Sequence, residues 1–177
     1  MKSMFVCALA LASAMGVNAQ NPFTTELKGN YNMVKGLVTK AADDMPEGDY
    51  GFVPGKNSRT YGAAVVHIAE VQAALCGMSG GAMPPKFDEA KSSKADAQAA
   101  LKAAFAFCDP MYAAITDADG ASMVKGFGGR DISKFGALNF GVIHDNEMYG
   151  TLAVYLRAKD KVPPSSAGRG GMGKKKE

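Results

Sequence analysis

Two histidines occur in the 177 residues, His67 and His144, and both sit in helix-like patterns. His67 shares a stripe with Ala64, Val71 and Ala74, and His144 shares one with Phe140, Met148, Thr151 and Tyr155, all at steps of three or four. That spacing turns both imidazoles toward an interior. Neutral imidazole is the commonest metal ligand, and facing helices of a bundle build metal sites from such side chains. A lone histidine on an inner face is nevertheless more often a satisfied core residue than a ligand. No other set of residues offers catalytic chemistry: there is no serine nucleophile elbow, no phosphate-binding glycine loop and no Cys-x-x-Cys motif.

The elements that must position the histidines are helical. Abundant Ala, Met and Leu, no Trp and few β-branched runs favour helix over sheet. The spacing predicts a first helix from Thr24 to Met45, with Leu27, Tyr31, Val34, Leu37 and Val38 inward and a stop at Pro46. The Gly-, Pro- and aromatic-rich stretch from Pro46 to Gly55 reads as an ordered loop that covers something. A second helix is expected from Arg59 to Met78 with Ser58 as N-cap, ended by Gly80-Gly81-Ala82-Met83-Pro84-Pro85. A third starts after Ser93 and reaches Thr116, with Pro110 expected to kink or split it. After a glycine-rich connection, Gly120 to Arg130, a fourth runs from Ser133 to Lys159 and stops at Pro163-Pro164. Four long amphipathic segments without convincing strands predict an all-α four-helix bundle.

On that frame, His67-Ile68-Ala69-Glu70 and His144-Asp145-Asn146-Glu147-Met148-Tyr149-Gly150, followed by Leu152 and Tyr155-Leu156-Arg157, resemble the DinB-like superfamily. The likeness extends over residues 22 to 166, including Val162-Pro163-Pro164-Ser165-Ser166. It implies a four-helix bundle holding a divalent metal, Zn²⁺, Ni²⁺ or similar, through one histidine of the second helix and a His-x-x-x-His pair of the fourth. His67 and His144 match the first two positions, whereas Met148 occupies the third. A thioether is a soft, neutral ligand better suited to Cu(I) than to those ions. Glu147 is a candidate substitute, as is Glu70, each about 60° around its helix from the nearby histidine, although solvated carboxylates are the plainer reading of both. The resemblance further implies thiol-dependent S-transferase or isomerase chemistry, and the first reading is a metal-dependent hydrolase or thiol transferase acting on a small-molecule ligand. Two other readings stand beside it: a degenerate bundle serving as a binding or interaction module, favoured by Met148, and a structural bundle that forms a homodimer through an exposed apolar helix face.

Charge and ends bound the rest. The net charge is +3, but Lys2 carries one of these charges and Arg169, Lys174, Lys175, Lys176 and Glu177 together carry three more, so residues 20 to 163 hold −1. A body of that sign has no basic stripe for nucleic acid. Met1-Lys2, the apolar run from Met4 to Val17 and Val17-Asn18-Ala19-Gln20 form a signal-peptide pattern cut after Ala19. The run is shorter than the ~20 residues that a bilayer span needs. The expectation is an exported protein, periplasmic or extracellular, with no transmembrane span once residues 1–19 are removed, a bundle domain over 20–162 and a disordered basic tail over 163–177. Cys76 and Cys108 remain after export. If their helices are antiparallel neighbours the two lie roughly 20 Å apart along the bundle, which predicts two packed free thiols.

Overall fold

The computed structural model describes residues 21–167; the N-terminal leader pattern, and the tail beyond residue 167, lie outside the described residues. Four long helices form the bundle: α1 (Pro22–Asp44), α2 (Tyr61–Gly80), α3 (Lys94–Ala114) and, after the short α4 (Asp117–Gly120), α5 (Lys134–Ala158). The architecture is the all-α bundle expected from the sequence. The predicted boundaries shift by about two residues at most. Thr60 rather than Ser58 caps α2 by accepting from Ala63 N, while Ser93 and Ser133 cap α3 and α5 in the same way. α3 runs past Pro110 without a split, with that ring on its exposed side.

The inward stripe of α1, Leu27, Tyr31, Val34, Val38 and Ala41, follows the predicted three-four spacing. α2 is central and packs on both α3 and α5, so it is apolar nearly all round. By length and composition it could cross a membrane, but it is mostly buried among the other helices. The loop after α1 covers the end of the bundle. Tyr50 is buried edge-on to Tyr61 and donates to Ala42 O, and Phe52 packs edge-on to Tyr155 under the Lys159 ammonium. Within the glycine-rich connection, Met123–Lys125 (β1) and Asp131–Ser133 (β2) pair antiparallel, with Val124 opposite Ile132. Three-residue strands leave too little alternation to be read in the sequence.

The order of helix directions departs from the simple picture. Lys94 Nζ donates to Asp43 O and Met45 O, so α3 begins where α1 ends. It also begins beside the start of α2, because a Cβ on Gly62 would lie 2.0 Å from Ser92 O. α2 and α3 are therefore parallel, and residues 81–93 form a strap that returns along their length. This corrects the expectation of free thiols: Cys76 and Cys108 stand at the same level of their helices, with Cα atoms 5.6 Å apart, and form a disulfide. At the far end, Pro163–Ala167, which composition assigns to the tail, is ordered: Pro163 is buried and Ser165 N donates to Tyr149 OH at 2.7 Å.

Candidate metal centre

α2 and α5 bring the two histidines together. The ring centroids of His67 and His144 lie 5.3 Å apart with planes at 65°, although 77 residues separate them in sequence. Both side chains are mostly covered, at 22% and 14% exposure. His67 Nδ1 faces Glu89 Oε1 at 3.1 Å, and His144 Nδ1 faces Asp145 Oδ1 at 3.2 Å. An ionised carboxylate can only accept, so each Nδ1 carries the proton and each Nε2 keeps its lone pair. This is the carboxylate–histidine arrangement that orients imidazoles toward a metal.

The electrostatics favour a neutral ring at His67. Burial, together with the nearby Arg59 cation, lowers the His67 pKa below its ordinary value against the pull of Glu89. Asp145 is 1% exposed, and its burial pushes its pKa up to about 6 against the opposing hydrogen bond and charge of His144. Glu89 is itself held on its other oxygen, Oε2, by Arg59 Nε at 3.0 Å.

Of the residues singled out from sequence, His67 and His144 meet. Met148 is half-buried and packs against the hydrophobic core, and Glu147 is exposed on α5. Glu70 does reach the site: one ligand atom each from His67, Glu70 and Glu89 lie within 4.8 Å of one another, a group that could hold a metal ion. One imidazole and two carboxylates are a donor set that suits a divalent metal, whereas a thioether such as that of Met148 suits one poorly. The sequence reading missed Glu89 and Asp145. Glu89 lies in the strap, where no helical period points it anywhere. Asp145 follows His144 directly, so a stripe analysis turns it away from the site. Two grooves of about 460 Å³ lie elsewhere, one between α1 and α3 floored by Leu101 and Phe105, the other between the strap and α3.

A sequence model of the DinB superfamily matches residues 32–152. Among solved structures, a DinB-like protein from Bacillus cereus ATCC 10987 superposes with a TM-score of 0.69 at 17% identity, covering 79% of this chain and 95% of its own. At that identity the likeness establishes the shared fold. No curated protein matches the chain.

Proposed function

Because the chain belongs to the DinB superfamily, we propose that it is a metal-binding member whose pocket is anchored by His67 and bordered by His144. The observation that carries this reading is the meeting of the two imidazoles at 5.3 Å, each with Nδ1 engaged by a carboxylate. A divalent ion held there would supply Lewis-acid activation of a water or a thiol, the chemistry of a hydrolase or thiol transferase. The Cys76–Cys108 disulfide supports the exported placement read from the N-terminal pattern, since such bonds persist in oxidising compartments.

The test is the metal content of residues 20–177, purified without a histidine tag, beside His67→Ala. Stoichiometric Zn²⁺ or a similar ion that is lost in His67→Ala is the expected result. Met148 supports a second reading, a bundle that has given up its metal and serves as a binding module. Under that reading the native protein is metal-free and Met148→His restores binding.

A further inference from the structure

The proposed pocket lacks the third imidazole of its family's pattern, and α5 puts no strong ligand in its place: half-buried Met148 packs against the core and Glu147 is exposed. The opposite side of His67 is richer. Glu70 lies one helical turn along α2, exposed and free to rotate toward the ring. Glu89 comes from the strap, and its two oxygens are divided: Oε2 is held by Arg59 Nε, while Oε1 faces His67 Nδ1. With its ligand atoms already within 4.8 Å of those of His67 and Glu70, the group needs only small side-chain rotations to reach donor separations of about 3 Å around an ion with bonds near 2.1 Å.

Resting on the metal reading above, we infer that Glu70 and Glu89 replace the missing imidazole, so that the ion is held by His67 and two carboxylates. The strap, rather than α5, completes the site. Binding the ion shifts the ring proton of His67 from Nδ1, where the metal-free protein shares it with Glu89, to Nε2, and the freed Nδ1 lone pair faces the ion. One imidazole with two carboxylates selects a borderline or oxygen-preferring divalent ion such as Zn²⁺ or Mn²⁺, and disfavours the Cu(I) that a methionine ligand would suit.

Calorimetric titration of the full mature chain with ZnCl₂ tests this on wild type, Glu70→Gln, Glu89→Gln and Met148→Leu, with thermal melts to confirm folding. Glu89→Gln is diagnostic because in the metal-free protein glutamine Oε1 can still accept from His67 Nδ1, whereas the anionic ligand that the ion needs is gone. The expected result is that both glutamate variants weaken Zn²⁺ binding by at least about tenfold, the scale reached even by outer-shell changes, while Met148→Leu stays within about threefold. Retention of affinity in either glutamate variant overturns the inference, as does a tenfold loss in Met148→Leu, and both outcomes leave metal binding at His67 standing. Absence of any Zn²⁺ binding by wild type overturns the inference and the metal reading together.

Discussion

Gly141 on α5 sits where α2, α3 and α5 meet. A Cβ there would lie 2.6 Å from Gln72 Oε1 and 3.0 Å from Tyr112 OH, and neither group can retreat. Gln72 is fully buried with its Nε2 within 3.2 Å of Tyr112 OH, and Tyr112 in turn donates to Leu138 O and stacks on Tyr31. Gly141→Ala is therefore expected to destabilise the fold by about 1–3 kcal/mol, the usual range for overpacking, as read from urea unfolding midpoints. An unchanged midpoint would mean that α5 shifts to make room. Residue types at this scale were only half legible. The stripes placed His67 and His144 inward, and their meeting follows from the bundle. Gln72 reads as an ordinary polar position, and its burial beside the disulfide depends on tertiary packing that no local pattern encodes.

At the scale of elements, α1 and α4 cap each other across the chain. Asn21 precedes α1 and its Oδ1 accepts from Asp117 N, at the start of α4, at 2.8 Å. Asp117 answers from the other side: Oδ1 accepts from Thr24 N at 2.8 Å and Thr24 Oγ1 at 2.7 Å, and Oδ2 from Phe23 N. Partial desolvation raises the Asp117 pKa, but these hydrogen bonds and the Lys28 charge outweigh it and hold the carboxyl below its ordinary value. A depressed carboxylate contributes stability that is present above its unfolded pKa, near 3.8, and is lost as pH falls through the folded value. Asp117→Asn should thus melt below wild type at pH 7, and the two melting temperatures should converge as pH falls through the lowered pKa of the folded state. A gap of equal size at low pH would show that shape rather than charge makes the cap. The four long helices were legible because each repeats its apolar residues over five or more turns. α4 and the β1–β2 hairpin were not, because a single turn and three-residue strands are held by distant partners.

For the molecule as a whole, the decisive feature is the parallel pair α2 and α3. The sequence marks where each helix starts and stops, but a strap of thirteen residues, 81–93, is compatible with either direction, and the common assumption of antiparallel neighbours put the cysteines at different levels. Once the strap runs back along the helices, the disulfide follows. Closing a loop over a sequence separation of 32 removes chain entropy worth about 3–4 kcal/mol from the unfolded state. Cys76→Ala/Cys108→Ala, or the reduced wild type, should lose about that much in urea unfolding relative to the oxidised chain. Equal midpoints with and without reductant would place the fold's stability wholly in its packing.

That arrangement also decides what happens when the polypeptide is cut. Ahead of Glu89 the strap carries exposed Met83 and Lys86 on the outside of the bundle, the kind of surface segment that proteases reach first. Cleavage there severs the backbone between α2 and α3 but not the covalent path through Cys76 and Cys108. The two fragments stay joined, and the half that carries Glu89 remains beside the half that carries His67 until the sulfurs are reduced.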